Sequence, residues 1–139
     1  MDAKVTWRAG LSFTGTTGSG FEMPLGVSKA DGGADDGARP LELFLVGLAG
    51  CTGMDVISIL GKKKQDVTAF EVRAHAERAT EHPKVFTHIV VEYVITGRQV
   101  ERAAAERAVE LSMTKYCPAH DMLKKAVTIE SKITLRETA

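Results

Sequence analysis

Two thiols are the side chains of this chain best suited to chemistry, and their settings differ. Cys51 sits in the middle of an apolar run, LELFLVGLAGCTGMDVISIL over 41–60, and Cys117 immediately precedes Pro118. Residues 119–126 read as a short helix, so the Cys117 sulfur falls at a helix N-terminus, near exposed N–H groups and the positive dipole end. A thiolate is favoured there, which gives Cys117 the stronger case for a low pKa. Apolar burial in mid-helix acts the other way on Cys51, which is reactive only where polar groups and a cleft reach it. Two cysteines are too few for a disulfide framework, leaving packing, metal binding or redox chemistry as their roles.

Other candidates are weaker. Asp55 stands one helical turn beyond Cys51, where a buried carboxylate needs a donor or a cation. Its default partner is a Lys or Arg from the sheet or from a partner subunit; the alternative is that it orders the surroundings of the thiol. Glu42 suits the dipole of a helix first turn. Cys117 and His120 have two-ligand spacing, but a structural zinc site wants four ligands in recognisable pairs. His75 alternates outward and His82 falls in a turn, so both read as solvated. No phosphate-cradling glycine loop, dinucleotide fingerprint or nucleophile elbow is visible.

These residues must be positioned by one chain of 139 residues, the size of a single domain, expected to span 1–139 with its N-terminal meander at 1–39 included. Its 18 basic and 18 acidic side chains cancel, so nucleic acid and anionic membrane surfaces are poor partners. The opening residues MDAKVTWR lack the apolar run of a secretory signal, and a cytoplasmic location is expected.

Residues 4–8, 11–14 and 21–25 read as a small β-meander, followed by a Gly- and Asp-rich mobile loop over 26–39. Pro40 opens a helix to about Leu60, closed by Lys62, Lys63 and Lys64. Glu42 and Asp55 argue against a bilayer span, so this is a helix buried on all sides, with part of its cover supplied by a second subunit. Gly47, Gly50 and Gly53 form a stripe against which a helix or sheet packs closely. Strands are expected near 67–77, 85–95 and 127–136, and a helix begins near Val100 and ends near Tyr116. The order β-β-β-α-β-β-α-α-β defines an α+β fold.

PLELFLVGLAGC at 40–51 together with Lys115-Tyr116-Cys117-Pro118 resembles the osmotically inducible protein C and organic hydroperoxide resistance (OsmC/Ohr) family. CTGMDVISILGKKKQDV, FTHIVVEYVITGR and LSMTKYCPAHDMLKKAV carry the likeness over nearly the whole chain and point to the YhfA-like branch. The resemblance implies an α+β, OsmC/Ohr-like fold: a long buried central helix on antiparallel sheet, in an intertwined homodimer with sites at the subunit interface. It further implies that Cys51 attacks a small organic hydroperoxide and becomes sulfenic acid, and that Cys117 condenses with it to a disulfide. An external dithiol, lipoyl-type in some members, then restores the pair; no bound cofactor and no metal is expected. The peroxidase members carry a glutamate one residue after the proline, where Leu41 stands here. They also carry an arginine in the N-terminal loop, whereas 14–19 has none and Arg8 and Arg39 are the candidates. The residues alone leave a rival open, a non-catalytic dimeric binder of small molecules with Cys51 and Cys117 lining its interface pocket.

Overall fold

β-formers on either side of a Gly10 break fold back on themselves. The computed structural model describes residues 1–139, which form two compact units, Met1–Phe44 and Leu45–Ala139. In the first unit β1 (Ala3–Ala9), β2 (Ser12–Thr17) and β3 (Glu22–Leu25) make an antiparallel sheet in the order β1-β2-β3. Gly10 turns the chain between β1 and β2 at φ +52°, in the left-handed region that L side chains resist. The loop expected over 26–39 is present. It holds one 3-10 turn, Lys29–Asp31, capped by Ser28, and it is fastened to β2 where the Ser12 hydroxyl meets both oxygens of Asp36 at 2.8 and 2.9 Å.

The long helix starts where the sequence places Pro40. The Arg39 N–H donates to Glu42 Oε1 at 2.8 Å and the Glu42 N–H returns to the Arg39 carbonyl, half of a capping box with Pro40 at its first position. Helix α1 then runs Glu42–Lys62. It ends with Lys64 at φ +55° and the Gln65 N–H on the Leu60 carbonyl at 3.0 Å, a Schellman-type stop built on lysine instead of glycine.

In the second unit β4 (Asp66–Arg78) and β5 (Phe86–Arg98) form the expected long antiparallel hairpin, with Val72 opposite Tyr93. After it come α2 (Arg102–Leu111), one π-helical turn (Ser112–Tyr116), α3 (Pro118–Leu123) and β6 (Thr128–Glu137). The predicted element order is therefore present, and the α+β class with it. One expectation is corrected: the sheet is mixed, because β6 lies parallel to β5, with Ile133 beside Tyr93. The helical crossover between β5 and β6 supplies the length that a parallel pairing needs.

Within one chain α1 is covered on one side, in keeping with the expectation that a single subunit cannot surround it: Leu48, Thr52, Gly53, Val56 and Leu60 are buried, whereas Val46, Met54 and Ile57 are exposed. A four-residue spacing lines up one face of a helix, and one chain of this size covers only that face. Leu48, Val56 and Leu60 join Ile89, Val91, Tyr93 and Ile95 of β5 and the alanine face of α2 in a single core. Of the three stripe glycines, Gly53 alone sits in a tight contact: a Cβ there would stand 3.2 Å from Val72 Cγ2, while Gly47 and Gly50 have nothing within 4 Å. That close approach on β4 brings the next residue back, Thr52, up to Tyr93.

Candidate functional site

Cys51 occupies the half-buried side of α1 and packs against the core that contains Cys117. Cys117 is 3% exposed, caps α3, and receives the His120 backbone N–H on its sulfur at 3.4 Å. The helix-start position read from Cys-Pro is thus correct. Both thiols are free, and Cys51 packs against the core that holds Cys117, near enough to add to the rise of its pKa. Sixty-five residues separate them in the chain, and the fold unites them.

The expectation of a low pKa for Cys117 is overturned. Burial pushes its thiol up from an ordinary 9.0 to about 11; the His120 N–H pulls down, and Cys51 and Asp55 add to the rise. The one His120 N–H that reaches the sulfur at the start of a six-residue helix is a weak counterweight to near-complete loss of water.

Around the thiols runs a chain of buried hydroxyls that the sequence reading did not single out. Tyr93 Oη lies 2.8 Å from Thr52 Oγ1, Thr52 Oγ1 lies 2.7 Å from Ser112 Oγ, and the Ser112 hydroxyl donates to Asp55 Oδ2 at 2.8 Å. The carboxylate fixes the direction of every bond. An ionised Asp55 only accepts, so Ser112 spends its proton there; Thr52 must then donate to Ser112, and Tyr93 to Thr52. Tyr93, Thr52 and Ser112 are each 0% exposed. Burial pushes the Tyr93 phenol up to about 12, against the lowering effect of its Thr52 bond.

Within the chain Asp55 makes no ion pair with a Lys or Arg of the sheet, and Ser112 is its donor. Its half-buried carboxylate also borders a cavity of about 500 Å³ whose walls include Met54, Ile59, Lys62, Leu111 and Tyr116. Glu42 is spent on the helix cap, one position after Leu41. Arg8 pairs with Asp36, and Arg39 pairs with Asp35 and donates to the Gly37 carbonyl at 2.9 Å.

The Cys117 and His120 side chains do not converge on a shared ligand. The His120 Nδ1 has no partner, and burial lowers the imidazole's pKa, against the raising effect of the nearby Met113 backbone. His75 and His82 are exposed, as expected, and His88 faces Glu130 at 3.0 Å. No group of three or more His, Cys, Asp or Glu side chains is arranged to hold a metal ion.

A long helix laid on a mixed sheet, with one thiol in the helix and a second before a proline, defines an α+β protein with a paired-thiol site. Residues 32–132 match the OsmC-like protein family, and the chain belongs to it. It is 44% identical over 130 residues to Protein YhfA of Escherichia coli strain K12, covering 93% of each chain. Its fold matches the crystal structure of a hypothetical protein from Aquifex aeolicus VF5 at a TM-score of 0.87 and 30% identity, over 99% of this chain and 97% of that one. The organic hydroperoxide resistance protein OhrB of Bacillus subtilis shares the fold at a TM-score of 0.64 and 21% identity, over 96% and 98% of the two chains.

Proposed function

We propose that this protein is a thiol-dependent redox protein that reduces small organic hydroperoxides through Cys51 and Cys117. The observation that carries the reading is that two free thiols distant in sequence pack into one core, near enough for Cys51 to act on the Cys117 pKa. Accessibility supports the order in which they act. Cys51 is half-buried, within reach of a substrate, whereas Cys117 is sealed in the core and its thiol stays protonated at neutral pH.

Cys51, as thiolate, attacks the outer peroxide oxygen; the O–O bond breaks, an alcohol leaves, and the sulfur becomes sulfenic acid. Cys117 attacks that sulfur, a disulfide forms, and its proton leaves with the hydroxyl as water. An external dithiol, of lipoyl type in the family likeness, returns two electrons and two protons. The molecule acts as a homodimer through the uncovered face of α1, and two unbridged thiols suit a cytoplasmic compartment.

Stopped-flow mixing with an alkyl hydroperoxide tests the reading. Wild type should lose both thiols and Cys51→Ser neither. Cys117→Ser should stop after one turnover, at a sulfenic acid that dimedone traps. Equal thiol loss in both variants, or none in wild type, overturns it.

One observation favours a second reading, a non-catalytic binder of small molecules. Leu41 replaces the peroxidase glutamate and the neighbouring Glu42 is committed to the cap, so neither helps hold a cation against Cys51. Ligand-induced thermal stabilisation that survives in a Cys51→Ala, Cys117→Ala double variant, without peroxide consumption, separates this reading from the first.

A further inference from the structure

We infer that Ser112 is the positioning residue of the thiol pair, the one side chain that ties the Cys51 turn of α1 to the turn that carries Cys117. The inference rests on the reading that these cysteines interconvert between dithiol and disulfide, and it adds the device that sets their separation.

Ser112 is bonded in both directions. Its carbonyl receives the Cys117 N–H at 2.8 Å, which fixes the backbone on which the buried sulfur hangs. Its hydroxyl meets Thr52, the residue after Cys51, at 2.7 Å, and Asp55, one turn further along α1, at 2.8 Å. Its own N–H is held by the Ala108 and Val109 carbonyls at the end of α2. Ser112 also opens the π turn, and such widened turns recur where a helix must re-aim its side chains.

Stability alone does not call for this arrangement, since apolar side chains of equal volume fill a core at least as well as a hydroxyl chain does. A fixed set of hydrogen-bond lengths supplies geometry instead. A disulfide demands about 2 Å between sulfurs and a narrow dihedral range, so small losses of alignment lower the effective concentration of one thiol at the other.

The test equilibrates the intact protein with oxidised and reduced dithiothreitol. Two protein thiols give up two protons and two electrons, the S–S bond of the oxidised reagent breaks, and reduced dithiothreitol carries them away. Relative to wild type, Ser112→Ala should lower the equilibrium constant for the Cys51–Cys117 disulfide about tenfold, the size of one or two net hydrogen bonds. Ser112→Thr, which keeps the hydroxyl, should stay within about threefold, and both should retain the wild-type circular dichroism spectrum.

Phenylarsine oxide, which bridges two sulfurs without oxidising them, provides a second readout. Its affinity should fall in the same ranking. If wild type forms no disulfide at any ratio of the reagents, the redox reading fails, and the arsenical ranking alone decides the positioning role. A folded Ser112→Ala protein with unchanged disulfide equilibrium and unchanged arsenical affinity overturns the inference. Should Ser112→Ala not fold, Asp55→Ala at the half-exposed end of the chain removes one of the two hydroxyl bonds. It should shift both readouts in the same direction by about threefold; no shift overturns the inference equally.

Discussion

The Cys117 sulfur accepts the His120 backbone N–H at 3.4 Å and still has its pKa raised, not lowered. One N–H at the mouth of a six-residue helix contributes less than the water lost around a side chain buried to this depth. In the proposed cycle this lets the inner thiol keep its proton until the outer one has reacted.

This predicts a pH profile. In Cys51→Ser protein, which keeps the burial that is the largest cause of the shift, alkylation of Cys117 should be slow at neutral pH even under conditions that label free cysteine, and its rate should rise only above the ordinary thiol range. Stability should follow the same proton. The folded pKa lies above the unfolded 9.0, so the contribution is fully present below about pH 9 and is lost as pH rises through about 11. Tyr93, raised from 10.0 to about 12, loses its contribution in the same sense at still higher pH. Denaturant melts from pH 7 to 11 should show the decline above pH 9; melts that stay flat would contradict the raised value.

The polarity of the hydroxyl chain makes a second prediction about stability. Tyr93→Phe removes a terminal donor: Thr52 loses an incoming bond but keeps its own donation to Ser112, and no buried donor is orphaned. The cost should be about 1 kcal/mol. Thr52→Val strands the Tyr93 O–H and takes a donor from Ser112, so it should cost about 2–4 kcal/mol. Urea melts of the two variants check the order, and an inverted order would mean that the chain does not run from Tyr93 to Asp55.

The elements that position the site were legible because each carries a local signal. Pro40, the apolar run and the lysines bound α1, and alternation along 67–77 and 127–136 gives β4 and β6. Alternation carries no direction, which is why the parallel pairing of β6 was not foreseen. The pairing of Cys51 with Cys117 came from the family likeness, since no local pattern joins residues 66 positions apart. Thr52, Ser112 and Tyr93 were missed for a related reason: a single serine, threonine or tyrosine is ordinary in any element, and only the close approach at Gly53 assembles them. The one available hint was a hydroxyl beside Cys51 in an otherwise apolar stretch. Burial of Cys117 likewise depends on what lies over it, which Cys-Pro does not encode.

Glu42 tests whether an acid near the helix start belongs to the cap or to the thiols. Its carboxylate oxygen holds the Arg39 N–H at 2.8 Å, so Glu42→Ala should lower stability by about 1 kcal/mol, and Glu42→Gln, which keeps an acceptor, by much less. Neither change should alter the alkylation rate of Cys51. A Cys51 rate that falls in the alanine variant at unchanged fold would move Glu42 from the cap into the site.

The exposed side of α1 carries the prediction about assembly. Val46 and Ile57 are 64% and 41% exposed, and Gly50 between them has nothing within 4 Å of where a Cβ would stand. Leaving this face in water forgoes about 25 cal/mol for every Å² of apolar surface, and covering it with a second copy recovers that. Val46→Glu and Ile57→Glu should therefore convert the protein to monomer at micromolar concentration in light scattering. Gly50→Ala then separates the two settings of the helix. In the Ile57→Glu monomer the extra methyl meets no neighbour, and the helix should gain about 1 kcal/mol from replacing glycine. In the proposed dimer the same methyl would sit on the covered face, and subunit affinity should fall. A Gly50→Ala protein that dimerises as tightly as wild type would place the subunit contact on some other face.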